Sequence, residues 1–190
     1  MGVIRGNSYY QIVDGSSWTE AEANSVAIGG HLVSIDSSSE NTFISNVLLP
    51  GTPSSVTAGS SQRGWYWIGY NQPGEGEGPW GWSDGSSSSY TNWFFDPNIN
   101  SQEPNQWRGV NEDCAGMLYG IQPETGTNTR GFWVDFPDVA SPDVGQVGTG
   151  IAEIPLTLSI TRQGQVKEGA GVFTTSINLS AGSATSGNLA

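Results

Sequence analysis

Oxygen-bearing side chains recur at close spacing through the second half of this 190-residue chain. Glu103, Pro104 and Asn105 form an EPN run, Asn111 to Cys114 read NEDC, and Trp133 to Asp135 read WVD. Carboxylates from Glu103, Glu112 and Asp135, with the amide oxygen of Asn105, are the donors that a hard cation such as calcium takes. No transition metal is implied by such a set. A cis peptide at Glu103–Pro104, which an X-Pro bond permits at small cost, would let the two flanking side chains point to the same side.

Two other patterns lead elsewhere. GWSDG, residues 81–85, matches the G-x-S-x-G of a serine hydrolase elbow. That chemistry needs a histidine after the nucleophile, and the single histidine, His31, lies about fifty residues before Ser83 within an apolar segment. Ser83 is therefore read as a turn residue, His31 as a structural strand residue, and the chain as not an enzyme. DPNIN, from Asp96, reproduces the first three oxygen positions of an EF-hand loop. Ser101 stands where the sharp turn needs glycine and Trp107 where the bidentate glutamate belongs, so it is read as an Asn- and Pro-rich turn.

The elements that must position these residues are short. Ser17 with Glu20, and Ser37 with Glu40, have the spacing of capping boxes. The first predicts a helix from Trp18 to Ile28, stopped by Gly29 and Gly30. The second predicts a helix placing Phe43, Ile44, Val47 and Leu48 on one face and ending before Pro50. Strand signals fall at HLVSI (31–35), WYWIGY (65–70), GFWVDF (131–136) and GIAEIPL (150–156). Between Glu75 and Asp135 lie nine of the eighteen acids, among dense Gly, Pro, Asn and Trp, and a long irregular loop of this kind is usually functional. Beyond Leu156, alternating Leu158 and Ile160, then Phe173, Thr175, Ile177 and Leu179, give two further strand signals.

Composition narrows the function classes. Eighteen acids against six bases give a net charge of −12, with Lys167 the only lysine. Such a surface opposes nucleic acid and anionic membranes, whose binding requires Lys and Arg to displace counterions. No run approaches the roughly 18 to 20 apolar residues of a membrane span, and MGVIRGNSYY lacks the apolar stretch of a signal peptide. Cys114 is the only cysteine, so no intrachain disulfide forms.

Taken in order, YYQIV, the helix from Trp18, GGHLVSI, WIGY, EGPWGWSDG, YTNW, EPN, EDC, WVD and IAEIPL resemble the C-type lectin domain, in a bacterial-type form with the EPN motif. The resemblance runs from about Gly6 to Leu156. It implies an α+β fold, two helices flanking small antiparallel sheets, with a long calcium-binding loop. Carried over by position, Glu103, Asn105, Glu112 and Asp135 are the implied calcium ligands. Glu103, Asn105 and Glu112 are also implied to contact a sugar of mannose or glucose type, beside Trp107 as a stacking platform. Glu77 and Asp113 match an auxiliary calcium site. Val134 stands where the family carries an asparagine that both ligates calcium and bonds the sugar. Cys114 matches a family cysteine whose partner position near Asp138 holds none. The tail from Leu156 resembles the opening strands of Calx-β-like repeats.

The resulting expectations are a lectin-like domain over residues 1–156 and a β-strand extension over 157–190. The expected function is a calcium-dependent carbohydrate-binding module of a larger extracellular or cell-surface protein, binding no nucleic acid and inserting in no membrane. The alternative is an adhesion or receptor module that binds a cell-surface protein through the same loop, calcium serving only to fix its shape.

Overall fold

The computed structural model describes residues 2–51, 63–73, 78–97, 101–105, 109–120, 128–138, 148–161 and 176–181. The chain opens on a hairpin of β1 (Gly2–Arg5) and β2 (Ser8–Asp14), followed by α1 (Trp18–Ala27), β3 (His31–Leu32) and α2 (Ser38–Phe43). Then come β4 (Arg63–Asn71), β5 (Gly81–Trp82), and a two-stranded ribbon of β6 (Phe95–Asp96) and β7 (Ser101–Gln102). β8 (Cys114–Gly120), β9 (Trp133–Phe136), β10 (Thr149–Thr161) and β11 (Ser176–Ala181) complete the described elements. The main sheet runs in the order β1-β2-β10-β4-β8-β9, so the strand near the end of the chain inserts between the first hairpin and the centre. Its pairings are antiparallel except for a parallel one, Gly150 beside Trp67. The fold is α+β.

Both helices start where the serine and glutamate spacing predicts. The Ser17 and Ser37 hydroxyls accept the backbone N–H of Glu20 and Glu40, satisfying a donor that a helix start leaves open. The glutamates reach one residue further back than a capping box does: Glu20 accepts from the N–H of Ser16 and Glu40 from that of Asp36. The second helix is shorter than its pattern. After Phe43 it widens into a π turn over Ile44–Leu48, with the Leu49 N–H donating to the Ile44 carbonyl, and then tightens into a 3-10 turn over Leu49–Gly51. Pro50 has no N–H with which to continue an α-helical ladder. The strand expected over residues 31–35 is likewise cut to His31–Leu32. Beyond it the Val33 N–H donates to Ile151, and its carbonyl accepts from Gly69, so this backbone bridges β10 and β4 instead of extending one ladder.

β4 explains the aromatic run WYWIGY, because both of its faces are covered. Tyr66 and Ile68 pack with Ile35, Ile44, Leu48, Met117 and Trp133 on one side, whereas Trp67 packs with Trp18, Ala21, Leu32 and Phe136 on the other. The Trp18 indole also donates to the Ile68 carbonyl at 2.7 Å, pinning α1 to the sheet. Where the family resemblance implies a disulfide from Cys114, the thiol is buried and free. A different clasp stands nearby: the Asp138 carboxylate accepts the backbone N–H of Thr19 at 2.8 Å and also its hydroxyl. A carboxylate in the first turn of α1 meets its positive end, so one side chain ties the exit of β9 to the helix.

β9 is held from the helix side. The Trp133 indole donates to the Asn41 side-chain oxygen at 2.9 Å, and the Asn41 amide donates to the Gly131 carbonyl at 3.0 Å. Gly131 has φ of +81°, and a Cβ there would come within 2.8 Å of the Asn41 amide nitrogen, so this turn requires glycine.

β10 continues unbroken past Leu156. Through Pro155 it pairs with β2, and from Leu156 to Thr161 it pairs with β11. We propose on this ground that residues 1–156 fold without the extension. A chain cut after Leu156 should keep a cooperative thermal melt, and a broad, non-cooperative one would show that β11 completes the core.

Candidate functional site

The long loop returns to the sheet through its own small ribbon. Phe94 is buried and its N–H donates to the Trp133 carbonyl at 2.8 Å, while its carbonyl accepts the Glu103 N–H at 2.9 Å. The EPN run is thereby suspended from β9 through two backbone bonds. The Glu103–Pro104 peptide is cis, as the sequence allows. The Asn105 side-chain amide donates to the Gln102 carbonyl at 3.0 Å and to the Glu103 carboxylate. The Asn105 backbone N–H donates to Asp135 Oδ2 at 2.9 Å.

Asp135 is the centre of this cluster. It is 3% exposed, lies on β9 opposite Ala115, and shares its face of the strand with Trp133. Its carboxyl is pushed up to about 9, first by burial and then by a hydrogen bond to Glu103 and the charges of Glu103 and Glu112. Two carboxyl groups in hydrogen-bond contact need a proton between them, and a cation serves the same electrostatic purpose. Asp135 Oδ1 is buried and has no hydrogen-bond partner among the described residues. A buried carboxylate oxygen left in this way is costly, and a hard cation is the natural means of satisfying it.

Of the sequence-predicted residues, Glu103, Asn105 and Asp135 are in hydrogen-bond contact and Glu112, 7% exposed, adds its charge to Asp135. Among the described residues no three His, Cys, Asp or Glu side chains stand in an arrangement that would hold a metal ion. The donor set fits calcium by chemistry and by the orphaned oxygen, while its carboxylates are drawn onto one another instead of opened as a cage. Trp107 and Glu77 lie outside the described residues. Asp113 accepts a hydrogen bond from the Asn111 amide, and its carbonyl accepts the Gln72 N–H at 2.8 Å. Val134 packs against the apolar cluster of Trp67, Cys114 and Phe136, so strand alternation turns it away from the Asp135 face.

Ser83 behaves as a turn residue. Its N–H donates to Gly69, and the chain bends through Gly85 at φ +80° with no helix among the described residues 86–97 that follow. A further buried acid, Asp96, sits opposite Ser101 in the ribbon of the same loop. The sequence marks it only as part of an EF-hand-like run, and burial here depends on a loop fold that no periodicity reports.

The fold and the site define a binding domain built around a loop, and residues 14–138 match the family model of the Lectin C-type domain. The chain belongs to that family, whose members are recognition domains and not catalysts. It is 31% identical over 119 residues to a perlucin-like protein of Mytilus galloprovincialis, a match covering 62% of this chain and 65% of that one. It is 35% identical over 120 residues to an alpha-N-acetylgalactosamine-specific lectin of Patiria pectinifera, covering 61% of this chain and 62% of the relative. The carbohydrate-recognition domain of a mouse scavenger receptor C-type lectin superposes with a TM-score of 0.54 at 25% identity, over 81% of this chain and 93% of that one. The matches thus span less than two thirds of the length of these curated relatives.

The cluster carries a pH signature. A carboxyl raised in the fold favours the folded state fully below its ordinary value near 3.8, and the advantage fades as pH rises and is gone above about 9. In the presence of a chelator, stability should therefore fall between about pH 4 and pH 9, by at most roughly 1.4 kcal/mol per pH unit from this group. Asp135→Asn should flatten that slope in denaturant titrations, and an identical slope in the variant would remove Asp135 as its source.

Proposed function

We propose that the chain is a recognition module of adhesion or receptor type, whose long loop meets a protein ligand while a calcium ion fixes the shape of that loop. The observation that carries this reading is the inward turn of the acidic cluster. Asp135 and Glu112 are nearly sealed from solvent, and Glu103 and Asn105 bond to each other and to Asp135. An ion gathered there by Glu103, Asn105, Glu112 and Asp135 would neutralise their charge and tie β7, the approach to β8, and β9 together. Val134 supports the same reading, since it has no oxygen to offer a metal and no amide to offer a sugar hydroxyl. Calcium, when bound, supplies charge neutralisation and oxygen coordination; the residues of the chain hold the loop to the sheet.

A carbohydrate ligand of mannose or glucose type, held directly by the ion, is the second reading. The mannose or glucose type rests on the EPN sequence, and a carbohydrate ligand in general on the similarity to a relative named as an alpha-N-acetylgalactosamine-specific lectin. Either ligand class belongs to an extracellular or cell-surface setting, as part of a larger protein. The bacterial-type form and the Calx-β-like nature of the segment after Leu156 are proposals on sequence resemblance alone. No described helix is long and apolar enough to cross a membrane.

A glycan array probed once with millimolar calcium and once with chelator separates the two readings. The proposal predicts background signal on mannose, glucose and galactose spots in both conditions. Bright spots that need calcium would contradict it and establish the sugar-binding reading in its place.

A further inference from the structure

A cavity of about 220 Å³ is lined by Ser8, His31, Leu32, Asp84, Glu153 and Pro155. These residues come from β2, β3, β10 and the turn after β5. In the sheet order β4 and β8 lie between β10 and the strand that carries Asp135. The cavity and the acidic cluster are therefore separate sites.

Its walls combine an apolar bed with uncompensated negative charge. Leu32 is fully buried. Glu153 Oε1 lies 3.2 Å from the Tyr10 hydroxyl, but that hydroxyl has one proton, and its shorter bond of 2.6 Å goes to Glu40. Arg5, the cation of this network, also sits on Glu40, at 3.5 Å. Asp84 accepts only the backbone N–H of Ser86, at 2.8 Å, among the described residues. Neither Asp84 nor Glu153 has an ion-pair partner among them. The His31 imidazole is held in place by a 2.6 Å contact from Nδ1 to Glu22, whose other oxygen accepts the Leu32 N–H at 2.8 Å. Its side chain is 45% exposed, so the ring forms a fixed, accessible wall.

We infer that this cavity receives the lysine or arginine side chain of a protein partner. The exposed Pro155 provides a surface for the methylene stem, and Asp84 and Glu153 provide the opposing charge for the head, with the Ser8 hydroxyl as a further acceptor. An anionic or neutral ligand would leave both carboxylates uncompensated. The net charge of −12 draws cationic partners toward the whole surface. This site is separate from the acidic cluster, and the inference holds whichever ligand class that cluster serves.

His31 is the only histidine of the chain, so its ring protons give an unambiguous NMR reporter inside the cavity. The probes are acetyl-Gly-Arg-Gly-amide, its lysine counterpart, and a citrulline peptide of the same shape without charge. The arginine and lysine peptides should shift the His31 signals saturably, with dissociation constants of about a millimolar, and citrulline should bind about tenfold more weakly. Asp84→Asn, in an exposed turn, and the double variant with Glu153→Gln should weaken the arginine peptide progressively, toward about tenfold. Asp14→Asn, an exposed acid outside the cavity, should leave binding unchanged. Equal binding of citrulline and arginine, no saturable shift, or full affinity in the correctly folded Asp84→Asn protein would each overturn the assignment.

Discussion

The contact between Asp135 and Glu103 is the constraint on which the functional half of this molecule depends. Two acidic groups are brought together where one is almost wholly buried. Such a contact persists only if something positive lies between or beside the carboxyls. A proton between them is sufficient up to about pH 9, the value to which Asp135 is raised. A divalent cation, if bound, would take over that role with the carboxyls ionised, its charge offsetting both groups and Glu112 as well. Residues 101–105 of the loop are held to β9 through this contact and through the backbone bonds of Phe94 and Asn105.

Core and site are coupled because a four-residue strand serves both. Trp133 is buried in the larger apolar cluster, with ring centroids 5.7 to 5.9 Å from Tyr70, Trp82, Tyr90 and Trp93. Asp135, two residues on, shares that face and supplies the acid; Val134 and Phe136 face the second cluster. Fixing Trp133 through Asn41 fixes the position of Asp135 too, so the helix side of the domain sets the geometry of the loop side. No disulfide is needed for this. Aromatic packing and the Asp138 clasp on Thr19 occupy the corresponding part of the fold.

What was legible in the sequence was local. Ser17 and Ser37 announce their helices because a cap acts within three residues, and WYWIGY announces a strand buried on both faces because every position is apolar or small. The ordered motifs from YYQIV to IAEIPL were sufficient for the family, and the EPN, EDC and WVD runs for the cluster. What was illegible depended on distance along the chain. Asp138 meets Thr19 across 119 positions, and Tyr10 joins Glu40 and Glu153 across 30 and 143. No spacing rule reports such pairs. The π turn after Phe43 was hidden for another reason: its apolar pattern suits a helix, and only the missing N–H of Pro50 hints that the ladder must change. The inward turn of the acids was equally unreadable, since motif positions carry residue types and not the direction in which carboxylates face.

Calcium-dependent stabilisation tests the central claim most directly. Thermal melts at pH 7 should be recorded for the native chain and for Asp135→Asn, each with chelator and with calcium at about ten times its dissociation constant. Linkage then gives roughly 1.4 kcal/mol of added stability to the native chain and a visibly higher midpoint. In Asp135→Asn, which lacks the buried charge that the ion offsets, the gain should be largely lost. A native midpoint that does not move with calcium, or a variant that gains as much as the native chain, would contradict the account.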